Sequence, residues 1–291
     1  MIPSPRHTRT EVASAQGSDG ITQSVASSRA VKVVSLIYHD VVANERVDDS
    51  GFPGPGPARY KLDTAEFDQH LDELARRTRQ APAIVDELRV KPAGVPWLLT
   101  FDDGGASSIW IGERLAQRGW RGHFFVTADW IGRRGFLDED AIRTLDGMGH
   151  VIGSHSCSHP QRMAYCSREQ LLDEWGRSAE VLSEIVGRPV DAASVPGGYY
   201  RPIVARAAAA AGIRTLFTSE PIVSSRTIDG CLVLGRFAVL RGFSAQRAAS
   251  LARGDTLPRL RQFALWNAKR PAKAIGGERY LQLRRWLLAK F

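Results

Sequence analysis

Leu98-Leu99-Thr100-Phe101-Asp102-Asp103-Gly104-Gly105 decides how this chain is read. From Val95 to Phe101 runs a short apolar segment with a proline near its start, followed by two acids and two glycines. That pattern predicts a buried strand ending at a turn. Successive strand side chains face opposite ways, so Asp102 and Asp103 are expected to aim their carboxylates at two different tasks. Asp and Gly also favour ordinary turns. The pair therefore gains weight from a second cluster further along, Gly153-Ser154-His155-Ser156-Cys157-Ser158-His159-Pro160.

His155 and His159 are spaced i, i+4. On a helical turn this spacing puts both imidazoles on one face, as a divalent metal requires. No Glu follows the first His, so this is not the zinc-protease motif. A third, hard ligand must come from elsewhere, and an Asp at a strand end suits it. Two His and one carboxylate leave coordination positions open for water and substrate, the mark of a catalytic metal site. The plainer alternative is a pair of surface or capping histidines in a Ser-rich turn.

Together, Thr100-Phe101-Asp102-Asp103-Gly104 and His155-Ser156-Cys157-Ser158-His159 resemble the motifs of the polysaccharide deacetylase family, the NodB-homology or carbohydrate esterase family 4 group. The resemblance extends over roughly residues 33–240. It implies an α/β fold, a distorted (β/α) barrel, and metal-dependent removal of acetyl from N-acetylhexosamine units of a polysaccharide or its precursor, in exopolysaccharide biosynthesis. It implies Asp102 as general base and Asp103, His155 and His159 as ligands of one divalent metal. Zinc suits a His2Asp set, with cobalt, nickel or iron as alternatives. Pro196-Gly197-Gly198-Tyr199 resembles the third motif, whose residue after Pro offers a backbone N–H to the developing oxyanion. That role falls on Gly197, with Pro196, Gly198 and Tyr199 beside it at the substrate.

Two departures stand out. The family's third motif usually carries an Arg two residues before the Pro, where it orients the base; here that residue is Ser194. The fifth motif usually places a general-acid His late in the chain, yet no His follows His159, and the late strands read Leu234-Gly235-Arg236-Phe237. Leu36-Ile37-Tyr38-His39-Asp40-Val41 resembles the acid-bearing strand of a circularly permuted branch that acts on poly-N-acetylglucosamine and also lacks that Arg. On this reading His39 is the general acid; the alternative is a strand-end His bonded to Asp40. Deformylation or deacylation of another sugar amide, and a non-catalytic glycan-binding protein of the same fold, remain rival functions.

The other elements follow from periodicity. Strands are expected at Val31–Tyr38, Gly122–Thr127, Val151–Gly153, Ala192–Val195, Ile213–Thr218, Leu232–Leu234 and Phe237–Val239, and helices at Ile109–Arg118, Asp138–Met148 and Ala205–Ala211. Thr64 is expected to cap a helix carrying Phe67, Leu71 and Leu74. Ser167 opens another, with Leu171, Trp175, Ala179, Leu182 and Ile185 on one face. Strand–helix alternation predicts a parallel sheet with its polar residues at the strand ends. His70 reads as solvated, and His123 and His150 as structural. Tyr200 and Trp130 are further candidates for stacking on sugar, and Glu220 for lining the groove.

At 291 residues and 43% hydrophobic content, the chain fits one catalytic domain. Residues 1–30 are Ser/Thr/Gly/Pro/Arg-rich without an apolar stretch, so a disordered leader and no signal peptide are expected. A barrel is expected over 31–250 and a basic helical tail over 251–291. From Ala252 to Phe291 there are ten basic and two acidic residues, which accounts for the whole net charge of +8. The body is therefore balanced, against a basic nucleic-acid cleft. Leu257–Lys269 and Glu278–Phe291 both read as helices. Tyr280, Leu283, Leu287 and Phe291 share a face of the second. A basic amphipathic tail with Trp266 and Trp286 suggests peripheral membrane contact and a lipid-linked sugar substrate. Three cysteines give no disulfide framework, and the expected location is cytoplasmic, at the inner face of the membrane.

Overall fold

A computed structural model describes residue 1 and residues 30–89 and 94–268. The expected leader and the helix expected over 278–291 lie outside the described residues. Nine strands make one sheet: β1 (Val34–Tyr38), β2 (Trp97–Phe101), β3 (His123–Val126), β4 (Val151–Ser154), β5 (Ala192–Ser194), β6 (Thr215–Phe217), β7 (Arg226–Ile228), β8 (Cys231–Leu234) and β9 (Phe237–Ala238). Their order is β7-β8-β6-β5-β4-β3-β2-β1-β9. All pairings are parallel except β7 with β8. The expected barrel is thus present in distorted form, a curled sheet whose edges are β7 and β9. The short antiparallel β7 was not apparent from sequence, because Arg226-Thr227-Ile228 is largely exposed and has no apolar run.

Helices cover the sheet: a single turn α1 (Pro55–Ala58), then α2 (Thr64–Arg77), α3 (Ser108–Ala116), α4 (Glu139–Gly147), α5 (Arg168–Val186), α6 (Pro202–Ala210) and α7 (Ala245–Ala252). The longer helices α2 to α7 form where apolar spacing gives one buried stripe. On α2 these are Phe67, Leu71 and Leu74, and Phe67 meets Tyr38 of β1 and Phe101 of β2 edge-on. Its cap is Asp63, whose carboxylate accepts from the Ala65 N–H, rather than Thr64, the first helical residue. At α5 the Ser167 hydroxyl and the Gln170 side chain form a reciprocal capping box, and Trp175 and Leu182 are fully buried. α7 crosses the boundary expected at residue 250: Leu251 and Ala252 are core, so the body runs on to Ala252. A further helical stretch occupies 256–268. No helix among the described residues is long and apolar enough to cross a membrane.

Three histidines hold the scaffold together. His70, expected in solvent, is buried and bonds the Tyr38 hydroxyl and the Phe243 carbonyl. His150 accepts from the Gly122 N–H and donates to the Gly112 carbonyl. His123 accepts from the Val85 N–H and donates to the Leu99 carbonyl. Burial pushes the His123 imidazole down to about 4 and shifts His70 and His150 the same way. These rings are neutral in the folded chain and protonate on unfolding in acid, so the unfolded state binds more protons there. Stability from His123 is complete above the ordinary imidazole value of 6.5 and is lost as pH falls from 6.5 toward 4. Urea unfolding across that range should show a loss of about 3 kcal/mol from His123 alone, and a His123→Gln variant should flatten the slope.

Candidate active site at the strand ends

The functional residues gather at the C-terminal ends of the parallel strands, where crossing loops leave backbone groups free to bind. Asp102 and Asp103 follow β2 directly. Their carboxylates diverge, but not through strand alternation: Asp103 is left-handed, with φ of 78°, and turns its side chain away from that of Asp102. The next residue, Gly104, is also left-handed, and a Cβ there would press on Val126 at 3.0 Å.

His155 and His159 do not lie on the helical turn expected for them. They flank a loop in which Ser156 and His159 have φ of 64° and 59°. Non-glycine residues reach this region only when the surroundings hold them there. The effect on the rings is the same, since both return to Asp103: Oδ1 lies 3.4 Å from His155 Nε2 and 3.4 Å from His159 Nε2. All three ligand atoms fall within 4.8 Å of one another. Separations of 3.4 Å are long for hydrogen bonds but match the edge of a tetrahedron around a cation about 2.0–2.1 Å from each ligand. His155 also presents the correct nitrogen. Its Nδ1 lies 3.0 Å from the Ser194 carbonyl, which can only accept, so the proton sits there and the Nε2 lone pair faces inward. The donor set therefore fits a divalent cation. Burial pushes the Asp103 carboxyl up, but the two imidazoles beside it, with His39, outweigh that and hold the group well below the usual carboxylate range.

Asp102 belongs to a separate arrangement, centred on a residue the sequence reading passed over. Arg236, on the link between β8 and β9, is completely buried. Its guanidinium grips Asp102 with Nη1–Oδ1 at 2.7 Å and Nη2–Oδ2 at 2.9 Å. Nη2 also donates to the Ser194 hydroxyl at 2.6 Å, Nη1 to the Thr100 hydroxyl at 3.1 Å and Nε to the Thr218 carbonyl at 3.1 Å. All five guanidinium donors are thereby used. The Ser194 hydroxyl donates to Asp102 Oδ1 at 3.1 Å. So Ser194, two residues before Pro196, joins Asp102 to His155, its hydroxyl on one and its carbonyl on the other. The signal was in the sequence: an Arg between two strands of apolar residues, next to Gly235, where a Cβ would lie 2.4 Å from the Glu220 carbonyl. Burial pushes the Asp102 carboxyl up, but Arg236 beside it, with His155 and His39 adding to the effect, holds it below its usual value.

His39 follows β1, next to β2 in the sheet, and acts electrostatically on both Asp102 and Asp103. Its ring packs on Tyr60 at 4.6 Å, and its Nδ1 is buried with no partner among the described residues. It is not bonded to Asp40. That carboxylate accepts instead from Ser50 at 2.5 Å and Ser107 at 2.8 Å, pinning the Gly- and Pro-rich loop at the mouth to the turn before α3. Lys61, also buried, donates to the Ser50 and Val47 carbonyls of the same loop. The loop brings Phe52 against His159, 4.7 Å between ring centres, and against Trp130 at 4.8 Å.

Gly197 has φ of 67°, and a Cβ there would come 2.3 Å from the Gln161 carbonyl. Only glycine fits, which brings this backbone close to the metal loop. Pro196 is buried, and a Cβ on Gly198 would contact Trp266 at 3.6 Å. Tyr199, expected at the substrate, is buried in the apolar cluster with Trp175 and Leu171, so its ring packs rather than stacks on sugar. Tyr200 is half-buried under Arg226, and Glu220 is paired with that same arginine. Burial pushes the Cys157 thiol, between the two histidines, up to about 12, which leaves it unreactive.

Residues 89–216 match the family model described as polysaccharide deacetylase. No curated protein matches the chain. Among solved structures, the fold is similar to a Streptococcus pyogenes deacetylase, PplD, in complex with acetate (19% identity, 75% of this chain and 96% of that one, TM-score 0.62). It is similar to IcaB from Ammonifex degensii (23% identity, 77% and 97%, TM-score 0.62). It is also similar to a de-N-acetylase from Aggregatibacter actinomycetemcomitans (17% identity, 71% and 94%, TM-score 0.58). At these identities the likeness is one of fold.

The buried fork makes a sharp expectation. Arg236→Met leaves the Asp102 carboxylate buried without its counter-charge and should cost about 3–5 kcal/mol of stability in urea unfolding. Arg236→Lys keeps the charge but loses the planar fork, and should fold while turning over more slowly.

Proposed function

We propose that this chain is an N-deacetylase, as the match of residues 89–216 to the polysaccharide deacetylase family model supports, and that it removes acetyl from N-acetylhexosamine units of an exopolysaccharide or its precursor. The observation that carries this reading is the convergence of Asp103, His155 and His159 beside a separately held carboxylate, Asp102.

Amide hydrolysis needs an activated water, a polarised carbonyl and a proton for the leaving amine. A divalent cation at the His2Asp set, zinc by its donor chemistry, supplies Lewis acidity and lowers the pKa of water. The rest falls to the chain. Asp102, ionised and fixed in orientation by Arg236 and Ser194, takes the proton from the attacking water. The Gly197 N–H faces the carbonyl oxygen as it gains charge. His39 protonates the departing amine; its unpartnered Nδ1 and its place beside both acids support this role. A glycan-binding protein without activity is the rival reading, and a chain with no arginine in its third motif would suit it. Arg236 weakens that rival, because it supplies a guanidinium to Asp102 from the link between β8 and β9. The likeness of fold to a protein described as a de-N-acetylase supports an N-acetyl group as the target.

The stretch 256–268 bears on where the substrate is met. It exposes Leu257, Leu260, Phe263 and Leu265 beside Arg259 and Arg261, and its Gln262 bonds the Ala238 carbonyl at the end of β9. An apolar, basic surface at the edge of the site supports peripheral contact with a membrane and a lipid-linked sugar as substrate.

The test is acetate release from N-acetylglucosamine oligomers by zinc-reconstituted protein. Asp102→Asn should abolish release while zinc remains bound. His39→Ala should lower turnover by about 10²–10⁴-fold; full turnover in that variant would remove His39 from the mechanism.

A further inference from the structure

Between the two histidines of the metal site, the chain makes its tightest excursion. Ser156 and His159 are both left-handed, and each such residue costs on the order of 1–3 kcal/mol unless neighbours fix it. Some of that fixing is local. Ser156 N–H donates to the Ser154 hydroxyl at 3.0 Å, and His159 N–H to the Ser156 hydroxyl at 3.2 Å. The Ser156 and Cys157 carbonyls accept from the N–H groups of Ala128 and Asp129. What remains are the N–H groups of Cys157 and Ser158, at the top of the loop. Both point to one atom from a different element: Glu174 Oε2 of α5, at 2.8 and 2.9 Å. The other oxygen, Oε1, accepts the Ser158 hydroxyl at 2.5 Å.

We propose that Glu174 is a positioning residue for the metal site, an outer carboxylate that sets the His155–His159 loop so that His159 Nε2 reaches Asp103. This rests on the reading of Asp103, His155 and His159 as metal ligands. Three donors on one carboxylate are charge-assisted bonds, stronger than neutral ones. They act on the two peptide units that precede His159, and so on the direction of its ring. Among the described residues no other charged side chain bonds this loop's backbone. Nor is Glu174 needed to hold α5 in place. That helix is capped by Ser167 and Gln170 and anchored by Leu171, Trp175 and Leu182, all independent of the carboxylate. Outer partners of this kind tune metal affinity more than folding. The sequence gives little sign of it: Glu174 lies next to the apolar stripe of α5 and reads as one more solvated acid.

The experiment uses the full chain stripped of metal, with zinc returned in competition with a chromophoric chelator. The unfolding temperature of each metal-free protein is recorded beside it. Glu174→Ala should weaken zinc binding about 10–100-fold without lowering the metal-free unfolding temperature. Glu174→Gln should stay within about threefold of the parent, because its amide oxygen still accepts both N–H groups and its NH2 can donate to the Ser158 hydroxyl. Zinc held by Glu174→Ala as tightly as by the parent overturns the proposal. Equal losses in the two variants, tracked by a fall in metal-free stability, also overturn it, since that is the behaviour of a purely structural residue. A parent protein that binds no zinc, or an Asp103→Ala variant that binds it equally well, overturns the metal reading itself and is distinct from either result.

Discussion

A guanidinium with no access to water and all five of its donors engaged is the constraint around which this molecule is arranged. Arg236 reaches back across the sheet from the β8–β9 link to the end of β2, and on the way bonds groups from β2, β5 and the segment after β6. It lies between the rings of Phe125 and Phe217, 5.7 Å from each. A buried charge of this kind adds little net stability beyond what apolar residues of the same volume would give. Its effect is on geometry: Asp102 is left with one orientation and one protonation state, both suited to a base. The cluster of Asp103, His155 and His159 next to it is built from different residues with different partners. The two acids of one dipeptide therefore serve separate hydrogen-bond networks, linked among the described residues through Ser194.

Much of this was legible in the chain. Strand β2, the two acids after it, the paired histidines and the strand bearing His39 all announce themselves through apolar runs that end in polar residues. The family resemblance of the two motifs pointed to the fold that the sheet displays. Where the reading departed from the structure, the cause was local backbone conformation. The i, i+4 spacing of His155 and His159 suggested a helix, yet left-handed residues at 156 and 159 bring the rings together in a loop. Periodicity carries no signal for such residues. Asp103 diverges from Asp102 for the same reason.

Arg236 was harder to see because its partner is 134 residues away. Motif reasoning looks for an arginine near the proline of Pro196-Gly197 and does not find one. The structure shows that what matters is a guanidinium in one place, not at one position in the chain. Tyr199 is the opposite case, a residue placed at the substrate by its motif neighbours but claimed by the core. Asp40 lies between the two: its carboxylate supports the site by holding the mouth loop, work that composition alone could not distinguish from bonding to His39.

The sheet order has a consequence for how the molecule comes together. β1, the first strand, lies between β2 and β9, the last, and β1 with β9 pairs Leu36 with Phe237 and Ile37 with Ala238. Contacts of such long range form slowly, because the intervening chain must be brought into place first. Asp102, the histidines and Ser194 can meet once β5 is laid down, but the arginine that grips Asp102 arrives with the link to β9. Assembly and competence are thereby coupled in time: the centre is completed by one of the last segments to join the sheet, and a partly folded chain holds its acids without the counter-charge that gives them their roles.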